Sequence, residues 1–289
     1  MNVLKKINRY AGVQGLVLAL LISLLLLAGC QSSNSEKNVK NDDLYQMVWH
    51  DEFDYTGLPD STLWYYDTIG NDAGWGNNEA QYYTYARKEN ATVDSGVLKI
   101  IARKENYKGK KYTSARLVSK ADWKYGRIEV NAKLPEGVGT WSAIWMMPAG
   151  WHFNNGNWPD IGEIDIMEHV GHDPGIIHAS AHSKDYQWQK GTQKTATIFI
   201  PDATNGFHSY KLDWSPEVLE GYVDDSLYFI YHNEEFGESK WPYNKPFYLI
   251  LNIAVGGVWG SMQGIDDDAF PQTMDVDYVR IYRKSDKLN

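Results

Sequence analysis

Glu163, Asp165 and Glu168 lie within six residues of one another, in the segment Trp158-Pro159-Asp160-Ile161-Gly162-Glu163-Ile164-Asp165-Ile166-Met167-Glu168-His169. Two carboxyl groups on one face can divide acid–base work. One, protonated, donates to a leaving group while the other, ionised, attacks. Acid and apolar side chains alternate from Glu163 to Ile166, the period of a β-strand with its acids on one face and its isoleucines in a core. Glu168 breaks that period, because it stands an odd number of positions from Glu163. One extra residue at Ile166-Met167, a β-bulge, returns Glu168 to the face of Glu163 and Asp165. The glutamates then stand roughly 13 Å apart at Cα. Side chains leaning together narrow that gap toward the roughly 5–5.5 Å of a retaining glycosidase. The competing reading is an edge strand with a solvated acidic face.

Just before this segment, Trp141 and Trp145 are four apart in Trp141-Ser142-Ala143-Ile144-Trp145-Met146-Met147-Pro148, hence on one face of a strand. They read equally as core residues or as a stacking platform for a sugar ring. Gly74-Trp75-Gly76-Asn77-Asn78-Glu79-Ala80-Gln81-Tyr82-Tyr83-Thr84 is a glycine-flanked loop rich in groups that bind hydroxyls, or an ordinary surface turn. His169 and His172 are three apart, and His178 and His182 four apart, close to zinc-site spacings. No H-E-x-x-H helix accompanies them, so a metal hydrolase is the weaker reading. His178 and His182 are expected on the strand next to the acids. There His182 is a hydrogen-bond partner of the carboxylates or a satisfied structural histidine.

The elements that must carry these residues are short. From Leu44 onward, alternating segments are punctuated by Gly, Pro and Asn-Asp clusters, with no helix of ordinary length and no internal repeat. Strands are expected over 96–103, 127–134, 208–214, 247–255 and 276–282, with a hairpin over 219–231 turning at Asp224-Asp225-Ser226. The nearly continuous apolar run 247–255 belongs in the middle of a sheet. Many short strands at turn-sized spacing give an all-β, two-sheet β-sandwich. One outer face is concave and free to hold a polymer, with the acidic strand through its middle.

At 289 residues the chain suits one large all-β domain. A net charge of −9 argues against nucleic acid or an anionic membrane surface as partner. Twelve Trp and twenty Tyr suit either a large core or a groove that stacks on sugar rings.

The N-terminus reads as a targeting segment. Lys5, Lys6 and Arg9 precede an apolar run, 11–28, ending in Leu27-Ala28-Gly29-Cys30, which looks like a bacterial lipobox. Residues 1–29 are then a lipoprotein signal peptide. Residues 30–43 are a lipidated Cys30 with a flexible polar tether, and 44–289 the sandwich domain. A single-pass anchor is the alternative. Cys30 is the only cysteine, which excludes a disulfide framework. The protein is expected in the bacterial cell envelope, anchored by lipid and acting as a monomer.

Six blocks together resemble glycoside hydrolase family 16, and within it the bacterial laminarinase-like endo-β-1,3-glucanases. They are G-W-G-N-N-E-A-Q-Y-Y-T, K-Y-G-R-I-E-V-N-A-K-L-P, W-S-A-I-W-M-M-P, W-P-D-I-G-E-I-D-I-M-E-H, P-F-Y-L-I-L-N-I-A-V-G-G and V-D-Y-V-R-I-Y. The resemblance implies a jelly-roll sandwich, a retaining mechanism and a β-glucan polysaccharide as partner. Glu163 matches the nucleophile, Glu168 the acid/base, and Asp165 the aspartate that hydrogen-bonds the nucleophile. Asn78, Arg116, Trp141 and Trp145 match glycone-subsite contacts, and Trp158 and His182 join them as substrate-side candidates. No cofactor is implied for catalysis. Relatives often hold a structural Ca²⁺, for which Glu52, the Gly96 carbonyl and Asp277 look like ligands. Ala80 replaces a usual Leu, and Gly257-Val258-Trp259 a usual Gly-Asn-Trp, which bears on subsites and leaves the chemistry untouched. Mixed-linkage glucan or an algal galactan as substrate, and a glucan-binding lipoprotein without catalysis, are the alternatives.

Overall fold

The computed structural model describes residues 44–153, 157–235 and 237–285. The expected signal peptide, Cys30 and the expected tether lie outside them. Among the described residues no helix is long and apolar enough to cross a membrane. In chain order the strands are β1 (Tyr45–Asp51), β2 (Trp64–Tyr66), β3 (Gln81–Tyr83), β4 (Ala91–Asp94), β5 (Val97–Tyr107), β6 (Lys110–Ser114), β7 (Arg116–Trp123), β8 (Gly126–Lys133), β9 (Thr140–Pro148), β10 (Glu163–Val170), β11 (Ile176–His182), β12 (Lys194–Phe199), β13 (His208–Trp214), β14 (Val218–Val223), β15 (Ser226–His232), β16 (Phe247–Val255) and β17 (Gln272–Lys284).

These strands form two stacked sheets. The ten-stranded sheet runs β15-β14-β13-β8-β17-β5-β6-β3, with β1 beside β17 and β4 beside β5. The seven-stranded sheet runs β12-β11-β10-β9-β16-β7-β2. Strand alternation explains the layering. Ile128, Val130 and Ala132 of β8 and Val279 and Ile281 of β17 point inward. They meet Ile144 and Met146 of β9, Ile164 of β10, and Leu249, Leu251 and Ile253 of β16 in one core. The apolar run at 247–255 is β16, flanked by β7 and β9 as its composition requires. Strand β13 has the expected bounds, and the expected hairpin turns between Val223 and Ser226.

A second, smaller cluster lies on the groove side of the seven-stranded sheet. Val118, Met147 and Ile250 are buried there beneath Trp145, Trp151, Trp158 and Tyr248. This cluster gives the aromatic wall of the groove its own footing, separate from the inter-sheet core.

Candidate active site

Strand β10 lies between β9 and β11, next to the central strand, so the edge-strand reading is excluded. The expected bulge is present. Asp165 faces Trp145 on β9 but Met167 faces Ile144, which leaves Ile166 as the extra residue. Toward β11, Asp165 faces Ser180 and Glu168 faces His178. Ile164, Ile166 and Met167 are all buried in the core. The Ile166 carbonyl accepts a hydrogen bond from the Tyr228 hydroxyl at 3.4 Å, a partner for a group at the irregular point of the ladder. Beyond the bulge the parity of the strand is reversed. Glu168 faces outward and His169 inward, where His169 Nε2 accepts from the Gly175 amide at 3.2 Å. Burial pushes His169 down to about 4, so it stays neutral.

Glu163, Asp165 and Glu168 open into one groove of about 820 Å³ on the outer face of the seven-stranded sheet. Each glutamate accepts from an indole. Trp158 Nε1 donates to Glu163 Oε2 at 2.8 Å, and Trp141 Nε1 to Glu168 Oε1 at 3.0 Å. Ala143 stands opposite Glu168 in the ladder, and its small side chain lets Trp141, two residues along β9, reach across. His182 Nε2 is 3.3 Å from Asp165 Oδ2 and 4.0 Å from Glu163 Oε1. Asp165 Oδ2 is buried with no hydrogen-bond partner and faces that histidine.

Among the described residues, none of the three carboxylates pairs with lysine or arginine. Burial pushes Glu163 up to about 8, with the Asp165 charge adding to the rise and His182 opposing it. Burial likewise raises Asp165 to about 8. Glu168 is raised to about 8 by burial first and the Asp165 charge second. Desolvation therefore raises the glutamates more than like-charge repulsion does. Burial thus favours the protonated form of these carboxyls near neutrality.

Arg116 is buried at the start of β7, its guanidinium 4.6 Å from the Trp145 ring and 5.0 Å from the Trp75 ring, with Nε 3.2 Å from Asp67. Trp145 lies across the groove floor and donates through Nε1 to Asn252 Oδ1 at 2.7 Å. Asn252 Nδ2 donates to the Tyr83 hydroxyl at 3.0 Å, and Gln81 Nε2 to Glu79 Oε2 at 2.6 Å. A polar chain thus runs beneath the floor into the loop 74–79. Asn78 is brought near the groove but does not line it: it is exposed, with φ +57, and Trp75, Asn77 and Glu79 form the wall there. The left-handed turn at Trp75 and Asn78 sets which side chains point inward.

Of the histidines, His178 packs edge-on against Trp259 at 4.8 Å and His169 is in the core, so the two pairs do not assemble one metal site. The calcium candidates Glu52, Gly96 and Asp277 lie just after β1, just before β5 and within β17, on the ten-stranded sheet rather than in the groove. Both Glu52 oxygens accept from Arg280, at 2.8 and 2.7 Å, which places a cation where a metal would sit. Asp277 is exposed, and no step below uses a metal.

Further residues line the groove or lie under it. Asn252 is a polar interruption of an apolar strand, a usable sign of a buried hydrogen-bonding role. Trp259 lies in the one-turn helix Gly257–Gly260, and its ring meets Trp141 at 5.5 Å. Trp188, Gln193, Thr195 and Thr197 line the opposite flank, along the β11–β12 connection and β12.

Comparison with known proteins agrees with this geometry. Residues 78–280 match the model of glycosyl hydrolases family 16. A beta-glucanase of Rhodothermus marinus is 51% identical over 272 residues, covering 92% of this chain and 93% of that protein. The X-ray structure of the laminarinase from Rhodothermus marinus superposes with a TM-score of 0.80 at 52% identity, over 84% of this chain and 98% of that one. A variant of LamA from Z. galactanivorans, solved with laminaritriose and laminaritetraose, superposes at 0.72 and 40% identity, over 82% and 99% of the two chains.

Proposed function

The chain belongs to glycosyl hydrolases family 16, and from that premise we propose that it is a retaining endo-β-1,3-glucanase acting on laminarin-type polysaccharide. The observation that carries this reading is the bulge at Ile166, which aims Glu163 and Glu168 from the same strand into one aromatic groove. Glu163, ionised, attacks the anomeric carbon. Glu168, protonated, donates to the departing oxygen. Loss of the Glu163 charge in the glycosyl ester removes one reason for Glu168 to keep a proton, so Glu168 then accepts a proton from water. Asp165 and His182 hold the charge of the trio in balance. Trp145, its ring backed by the buried Arg116 guanidinium, lines the groove with a flat face on which a glucosyl ring can lie.

The relatives' names support the linkage, and the run before Cys30 supports a lipid-anchored protein of the cell envelope. The test is digestion of laminarin, mixed-linkage β-glucan and agarose, with the first-formed anomer identified by NMR. Early oligosaccharides from laminarin with β configuration are expected, unchanged by EDTA. A first-formed α-anomer would rule out double displacement. Calorimetric binding without new reducing ends would make this a glucan-binding protein instead.

A further inference from the structure

We infer that Trp141 and Trp158 are positioning residues for the two carboxylates, over and above any stacking: each indole N–H holds one chosen oxygen, so that Glu168 carries its transferable proton on Oε2 and Glu163 attacks through Oε1. The inference rests on the retaining reading above.

An indole N–H donates and has no acceptor to offer. The oxygen it touches must keep a lone pair toward it whether the carboxyl group is protonated or ionised. Trp141 donates to Glu168 Oε1 at 3.0 Å, so the proton of Glu168 belongs on the other oxygen. Trp158 donates to Glu163 Oε2 at 2.8 Å, which leaves Oε1 for bond formation. In the first step the C1–Oε1 bond forms and the bond from C1 to the glycosidic oxygen breaks. That oxygen keeps the electron pair and takes the proton from Glu168 Oε2. In the second step a water oxygen bonds to C1, its proton passes to Glu168 Oε2, and the C1–Oε1 pair returns to Glu163 as carboxylate. Trp158 holds Oε2, the carbonyl oxygen of the ester, throughout.

The choice of donor matters as much as its position. Lys194 and Lys240 hold Glu234 down at about 2, a carboxylate locked in one charge state. A neutral indole orients without locking, which a group that gains and loses a proton in every cycle requires. The packing fixes each N–H. The Trp141 ring meets Trp259 edge-on at 5.5 Å. Trp158 packs on the buried cluster of Val118, Met147 and Ile250 and lies 5.9 Å from the His182 ring.

The experiment replaces each tryptophan with phenylalanine, and separately with benzothienylalanine, which keeps the bicyclic shape and puts sulfur in place of N–H. The substrates are laminarihexaose and a dinitrophenyl β-laminaribioside. For Trp141→Phe the expected result is a fall in kcat on the hexaose of about 10- to 100-fold, with KM little changed and most of the loss absent on the dinitrophenyl substrate. For Trp158→Phe, kcat/KM should fall by similar factors on both, because attack is needed in either case. The benzothienyl variants should follow the same split, which covers the case of a phenylalanine variant that does not fold. A rise in KM with equal losses at Trp141 on both substrates, or no loss at all, would overturn the inference and leave the tryptophans as stacking surfaces. A wild-type protein that cleaves neither substrate would instead defeat the functional reading itself, and this inference with it.

Discussion

On the ten-stranded sheet Asp213 accepts two hydrogen bonds from Arg127, at 2.7 and 2.9 Å, and Glu52 accepts two from Arg280. On the groove sheet Glu163 and Glu168 each accept one from an indole. Arg280 holds Glu52 below the usual carboxylate range, whereas burial without a cation raises the groove carboxylates to about 8. Paired acids fasten strands in one charge state. Unpaired ones cost stability and keep a proton available near neutrality. If this contrast is correct, substitutions on the two faces should separate turnover from stability.

The sharpest separation comes from Glu163→Gln. Reducing-sugar release should drop by on the order of 10⁴-fold or more, while calorimetric binding of oligosaccharide persists. Near-normal hydrolysis would remove Glu163 from the mechanism. Glu168→Gln should lose about 10²- to 10⁴-fold on laminarin and far less on an aryl glycoside with a good leaving group. Equal losses on both would dissociate Glu168 from proton donation. Asp213→Ala should do the reverse, leaving kcat intact at 25 °C. By taking from buried Arg127 its two-pronged carboxylate partner it should cost about 3 kcal/mol, a Tm lower by roughly 6–12 °C. An unchanged Tm would break the comparison from the other side.

The smallest effect is on the pH dependence of melting. The folded trio binds protons more tightly than the ordinary carboxylates of the unfolded chain, with values near 4. Its contribution is therefore fully present at acid pH and is lost as pH rises toward about 8. Glu234, held at about 2, contributes in the opposite sense: its share is present above about pH 4.5 and lost as pH falls toward 2. Asp165→Asn should flatten the alkaline decline in Tm, and Glu234→Gln the acid decline. An alkaline slope unaltered by Asp165→Asn would mean that the groove acids are not strained by burial.

Period and its interruption made much of this legible in the sequence. The alternation at 163–166 and its failure at Glu168 located both the strand and the bulge. The apolar run at 247–255 located an interior strand, and His178 and His182 stand, as expected, on the strand beside the acids. What escaped depends on how distant segments meet. The Trp158 indole reaches Glu163 because a loop folds back onto an apolar cluster, which no strand period encodes. Asn77 rather than Asn78 lines the groove because of a left-handed turn. Glu52 looked free for calcium, yet its partner Arg280 lies 228 residues away. Thr195 and Thr197 alternate on β12 as an ordinary edge strand would, and only the shape of the sheet turns them toward a polymer.

The extra residue at Ile166 makes the strand tolerant of one sort of change and brittle to another. Exchange of one side chain for another adjusts the groove gradually. Loss of a single residue between Asp165 and Glu168 would instead act like a frameshift in space. Everything from Glu168 onward would trade its inner for its outer side, sending the proton donor into the hydrocarbon interior and a neutral imidazole out to meet the sugar.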